Sequence, residues 1–123
     1  MSEKTSTYEN LVTELKELAL LRSCGAVLGW DEQTNLPPHG AEHRANQLAM
    51  ISGLSHERGT SSELGEMLNE LSDPSTVGGE ETVAFANVRD ARRAYDRTVK
   101  LPKKLVEELT RATTLSQHAW VES

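Results

Sequence analysis

A single cysteine, Cys24, stands in the chain of 123 residues; this excludes an internal disulfide framework and any cysteine-based zinc site. Aromatic side chains are scarce as well, at 4%, so a core has to be assembled from leucine, valine and alanine. No unbroken apolar run is longer than Leu18–Leu21, far short of the roughly 20 residues that cross a bilayer. The opening stretch MSEKTSTYEN has no apolar centre and lacks the character of a secretory leader. Strand-like alternation, internal repeats, a phosphate-cradling glycine loop and a G-x-S-x-G turn are all missing. These absences lead to the expectation of a soluble, cytoplasmic protein with no membrane partner.

Charge is plentiful but unevenly placed. The formal net charge is −6, from 13 basic and 19 acidic residues. Residues 1–81 hold 14 acids and 5 bases, whereas residues 82–123 hold 5 acids and 8 bases. Overall acidity argues against nucleic-acid binding, which depends on neutralising phosphates. Seven of the bases fall between Arg89 and Lys104, and Arg89, Arg93 and Arg97 recur at four-residue spacing. On a helix such a row repels itself by a few tenths of a kcal/mol per neighbouring pair unless an anionic surface faces it. Arg93 and Arg97 are therefore expected to face a partner, and Arg89 to find an acid within the chain.

The apolar periodicity is helical throughout and predicts an all-α fold of about five helices in a bundle, taking residues 1–123 as one helical region. Ser6-Thr7-Tyr8-Glu9 has capping-box spacing and opens a first helix ending near Leu28, where Gly29 intervenes. GWDEQTNLPP then reads as a loop, because Asn35 and Pro37-Pro38 disfavour helix. A second helix is expected from about Gly40 to Glu57, with Ala41, Ala45, Leu48, Ile51 and Leu54 on its buried side. Thr60-Ser61-Ser62-Glu63 reads as another capping box before a short helix with Leu64, Met67, Leu68 and Leu71 inward. Ser72–Gly79 reads as a flexible loop. A long helix from about Glu80 to Val99 follows, with Ala84, Val88, Ala91 and Tyr95 as its seam. Pro102 suits the first turn of a last helix whose stripe is Leu105, Val106, Leu109, Ala112, Ala119 and Trp120. That helix carries no stop signal before Ser123, so the chain reads as part of something longer, with Leu105, Leu109 and Trp120 left uncovered.

Residues with catalytic potential are few. His39 and His43 share the spacing of two imidazoles on one helix face, but His39 directly follows Pro38, which favours two surface polar groups over a metal site. His56-Glu57 begins like HExxH, yet the residue four after His56 is Thr60 and Gly59 interrupts the helix. Cys24, within an apolar helix end, reads as a buried inert thiol. Trp30-Asp31-Glu32 offers an aromatic and two carboxylates. On these residues alone, Trp30 closes the end of the bundle and the acids are solvated. No catalytic residue and no metal ligand is assigned.

Taken in order, two segments resemble the N-terminal part of the M32 metallocarboxypeptidases, the carboxypeptidase Taq family. LGWDEQTNLPPHGAEHRANQLAMISGLSHE resembles that family's tryptophan-acid segment, its Pro-Pro turn and a GAExRAxQLAxL helix. VRDARRAYDRTVKLPKKLVEELTRATTLSQHAWVES resembles its arginine-rich helix, Lys-Leu-Pro turn and Trp-Val-Glu segment. His39, His43 and the order Glu32-Gln33 depart from the usual pattern. The resemblance implies a much longer all-α peptidase that removes C-terminal amino acids from peptides. In it, zinc or cobalt is held by an HExxH helix and a downstream glutamate, and none of those ligands lies here. It implies that this chain forms part of the wall of a substrate cleft, with Trp30 and Asp31 lining it, no cofactor of its own and no catalysis alone. The implied partners are the remainder of the peptidase and, through exposed helix faces, further copies in a homo-oligomer. The alternative is a free-standing helical interaction module.

Overall fold

Leucines at three- and four-residue spacing need facing apolar surfaces, and the computed structural model supplies them with helices alone. It describes residues 3–123, with side chains from Ser6 onward. Five α-helices are present among these residues: α1 (Glu3–Thr34), α2 (Ala41–Gly59), α3 (Ser62–Glu70), α4 (Val83–Thr98) and α5 (Lys103–Glu122), with a 3-10 turn at Pro74–Val77. The fold is all-α, as the periodicity requires.

Several boundaries differ from the sequence expectation. Helix α1 does not stop at Leu28 but continues through Gly29 to Thr34, and Asn35 N–H still donates to the Asp31 carbonyl at 2.7 Å. A glycine inside a helix costs only about 1 kcal/mol relative to alanine, which contacts elsewhere along the helix offset. Trp30, Asp31 and Glu32 are therefore helical, not part of a loop. At the other end, α1 starts before Ser6, which sits inside the helix and cannot cap it. The cap of α3 is Ser61, whose hydroxyl accepts from Leu64 N–H at 3.2 Å; Thr60 lies one residue too early. Thr82 caps α4 by accepting from Phe85 N–H at 3.1 Å, and Pro102 stands just before α5, not within its first turn. The segment read as a flexible loop is hydrogen-bonded along its length. Asp73 caps the 3-10 turn, Gly78 closes it at φ 91°, and Thr82 Oγ1 donates to the carbonyls of Val77 and Gly79.

The chain divides into two compact units. The first unites residues up to Leu18 with Arg58–Lys100. Its core is Leu11, Leu64, Leu68, Leu71 and Val88, flanked by Tyr8, Leu15, Met67, Val77, Ala91 and Tyr95. The inward residues expected of α3 are all found here, and of the seam expected of α4 so are Val88, Ala91 and Tyr95, but not Ala84. Tyr95 crosses α3 at Gly65, donating its hydroxyl proton to the Ser61 carbonyl at 3.3 Å. A Cβ at Gly65 would lie 2.5 Å from that hydroxyl oxygen, so only glycine allows the crossing. Arg58 ties α2's end to α1 through Glu14 (3.3 Å) and Glu17. Its guanidinium pKa is raised by these hydrogen bonds, that to Glu17 first.

The second unit joins Ala19–Glu57 with Leu101–Ser123. Its interior is small and partly polar: Ala45 is fully buried, and Ser55, His56 and Thr114 are more than nine-tenths buried. Leu28, Leu48, Ile51, Val106 and Leu115 are half-buried, and other large apolar groups lie outside. Leu105, Leu109 and Trp120 on α5 are 40%, 54% and 78% exposed, as expected of an uncovered stripe. Leu54, expected on the buried side of α2, is also exposed, and Cys24 is exposed rather than buried.

Truncating the first unit's core removes methylenes from a site that cannot collapse. Leu68→Ala should lower unfolding free energy by about 2–5 kcal/mol, measured by urea denaturation. Leu109→Ser, outside any core, should stay within about 0.5 kcal/mol of the parent.

Candidate functional site

The C-terminal turns of α1 carry the sequence-predicted pair, and the structure treats its two members differently. Trp30 is 63% exposed, so it does not close the end of a bundle. Asp31 is not simply solvated. Its Oδ2 accepts from Arg44 Nη2 at 2.8 Å, while Arg44 Nη1 donates to the Leu28 carbonyl at 2.6 Å and Nε to Gln47 Oε1 at 2.9 Å. The Arg44 side chain is only 12% exposed. A charged donor with three partners is worth more than an exposed ion pair, and here it fixes the last turns of α1 against the first turns of α2. Trp30 is thus presented to solvent on a tethered helix end. Sequence reasoning missed Arg44. Its partners on α1 lie 13 and 16 residues away across the Pro-Pro turn, and no local spacing relates them to it.

Beside this pair in the chain, Glu32 and Gln33 line a hollow of about 250 Å³ together with Gln117, His118 and Val121. His118 Nε2 lies 3.3 Å from Glu122 Oε1, an ion pair when the imidazole is protonated. A larger open groove of about 480 Å³ runs between α2 and α5, with Met50 and Leu54 on one side and Lys104 and Glu108 on the other. Its walls are joined by polar ties. Lys103 Nζ reaches Glu57 Oε1 at 2.6 Å and Glu107 Oε1 at 3.6 Å. Arg111 reaches Asn46 at 2.9 Å and Glu42 at 3.2 Å, and Thr110 Oγ1 donates to Ser52 Oγ at 2.9 Å. The Lys103 ammonium pKa is raised, first by its hydrogen bond to Glu57. Its stabilising tie is therefore fully present below the ordinary lysine range and is lost only as pH rises through the higher folded value.

The histidines do not converge. His39 lies in the turn before α2 at φ 69°, outside the helix that carries His43, and both are exposed. His56 is buried, whereas Glu57 is engaged by Lys103. Among the described residues no three His, Cys, Asp or Glu side chains are grouped to hold a metal ion, so the donor set present does not fit one. On α4, Arg93 and Arg97 are exposed and make no ion pair among the described residues. Asp90, three residues before Arg93, lies 3.4 Å from Arg89, and Asp96 is paired with Arg92 at 3.2 Å.

The family described as "Carboxypeptidase Taq (M32) metallopeptidase" matches residues 10–123. Thermostable carboxypeptidase 1 of Thermus thermophilus is 36% identical over 118 residues, covering 96% of this chain and 23% of that protein. Carboxypeptidase 1 of Bacillus subtilis is 25% identical over 118 residues, and thermostable carboxypeptidase 1 of Pyrococcus furiosus is 23% identical over 124 residues. In each case the chain spans 23% of the relative's length.

Replacing Arg44 by Met removes three hydrogen bonds and leaves Asp31 without its counter-ion. The expected loss is about 1–3 kcal/mol, with faster amide exchange confined to the turns around Leu28–Thr34. Unchanged exchange there would show that the clamp does not hold α1's end.

Proposed function

The chain belongs to the carboxypeptidase Taq (M32) metallopeptidase family, and we propose that it is the N-terminal helical part of a zinc-dependent carboxypeptidase. In this reading it forms part of the wall of the cleft in which a peptide loses its C-terminal residue. It takes no chemical step itself. The peptide-bond hydrolysis needs a metal, zinc or cobalt, and the described residues group no ligand set for one, so on this reading the metal's chemistry belongs to the remainder of the polypeptide. What this chain contributes is shape and position.

The observation that carries the reading is the exposure of Trp30 on a helix end that Arg44 and Asp31 hold in place. An indole offers a large, rigid apolar face at little entropic cost, suited to a passing peptide side chain or backbone. Asp31 lines the same wall, and its carboxylate keeps that face in register through Arg44. The bare stripe of Leu105, Leu109 and Trp120 is covered, on this view, by the remainder of the peptidase. Contiguous exposed apolar faces of this kind mark interfaces. The same stripe is what favours the second reading, a helical module that works by binding alone.

Two measurements test the proposal. The isolated chain, incubated with a blocked dipeptide and added zinc or cobalt, should release no C-terminal amino acid; metal-dependent release lost on changing His39 or His43 would reject it. In the full-length enzyme, Trp30→Ala should raise KM for peptide about 3- to 10-fold, the loss of one aromatic contact, with kcat little changed. Unaltered KM would remove Trp30 from the cleft.

A further inference from the structure

One face of α1 in the second unit is apolar, helically spaced and uncovered. Leu20 and Val27 lie two turns apart, and both are no less exposed than Trp30. Ser23 stands between them, and Trp30 and Thr34 continue the row at alternating steps of three and four. Ala19, Cys24 and Ala26, also exposed, flank it. The hydroxyls in the row are turned back on their own helix. Ser23 Oγ donates to the Leu20 carbonyl at 2.6 Å, and Thr34 Oγ1 donates to the Trp30 carbonyl at 2.9 Å. Nor does the row carry charge. Arg22 is the one charged residue from Ala19 to Trp30, and at about 100° per residue it falls well round the helix from Leu20 and Val27. Asp31, next in the chain, is taken up by Arg44. An exposed face with so little polar demand marks an interface.

Two observations bear on what covers it. Alternating steps of three and four make a straight seam along a helix, which receives another helix lying lengthwise upon it. The chain also spans only 23% of the length of the relatives it matches, so most of such a polypeptide lies outside the structure. We propose that Leu20, Ser23 and Val27 form the docking face for an apolar helix from the remainder of the polypeptide. The small side chains of Ala19, Ser23 and Ala26 let the two backbones approach closely, while Leu20 and Val27 supply the apolar contact. Trp30, one turn further on, stands at the rim where the cover stops. A tethered segment meets this face at a high local concentration, whereas two copies of net charge −6 repel one another. The inference rests on the reading of the chain as part of a longer peptidase, and it concerns a different helix from the apolar stripe of α5.

Cys24, exposed on the flank of the row, serves as a native reporter. N-ethylmaleimide should label it at least about tenfold more slowly in the full-length enzyme than in the isolated chain or in N-acetylcysteinamide, the labelled peptide being identified by its mass. That protection should persist as the enzyme is diluted from micromolar to nanomolar. Val27→Glu should leave the melting temperature of the isolated chain within about 2 °C of the parent. In the full-length enzyme the same change should lower it by about 3 °C or more, because the carboxylate is there shut away from water. If that variant does not fold at full length, labelling of the unaltered Cys24 still decides. Equal labelling in the two forms would overturn the proposal, as would protection that vanishes on dilution, the mark of a second copy. Labelling is read without substrate and so stands apart from the cleft. Protection together with an unaltered KM in Trp30→Ala rejects the cleft role alone, and an open Cys24 with a raised KM rejects the docking alone.

Discussion

Helix α2 meets α1 and α5 over small residues and polar ties. Ala45 is wholly buried, Gly25 brings α1 to Ile51 with 3.2 Å between a notional Cβ and the Cγ2 methyl, and a Cβ at Gly53 would meet the carboxylate of Glu107. Arg44 is near enough to α1 to reach both Asp31 and the Leu28 carbonyl, and Thr110 is near enough to Ser52 to share a proton. Leu105, Leu109 and Trp120 lie outside, and α5 is tied to α2 through Lys103, Thr110 and Arg111. A larger residue at Gly53 would displace Glu107 and with it the second partner of Lys103.

The two units are thus held by different forces. In the first, leucines from α1 and α3 and a valine from α4 are removed from water, a contribution of about 25 cal/mol per Å² of apolar surface. Its polar contacts, such as Tyr95 to Ser61 and Asn87 to Tyr8 at 3.1 Å, orient helices that the leucines already hold. In the second, hydrogen bonds and ion pairs form much of the helix contact itself. The exposed pairs among them contribute about 0–1 kcal/mol each, so a seam of this kind gives register more than strength.

Much of the first unit was legible because its signals are local. Leu64, Met67, Leu68 and Leu71 repeat at helical spacing and face inward, and Val88 and Tyr95 follow the seam read from α4. The second unit resisted because two of its determinants are not local. Gly29 and the acids after it look like an ending, yet the helix is held open for another turn by an arginine on the next helix. The apolar stripe of α5 was legible as a stripe, but periodicity does not say whether a stripe is covered. The exposure of Cys24 follows the same rule: an apolar neighbourhood in sequence became an outward face in space. Family membership was readable from the ordered set of motifs around Trp30, Pro37-Pro38 and the arginine-rich helix. Of the candidate residues, Trp30 and Asp31 were singled out from the sequence, but not the guanidinium that pairs with Asp31.

The polar seam between α2 and α5 also bears on heat capacity. Exposing apolar surface raises the heat capacity of a chain by about 0.45 cal/K/mol per Å², whereas exposing polar surface lowers it by about 0.26. Opening a contact made largely of hydroxyls, amides and charged heads, with Leu54, Leu105 and Leu109 already exposed, therefore changes the two contributions in opposite directions and leaves a smaller net. Melting of the leucine core has the usual large positive increment. The second unit consequently has a flatter dependence of stability on temperature than the first, and it loses less on cooling, where apolar association weakens.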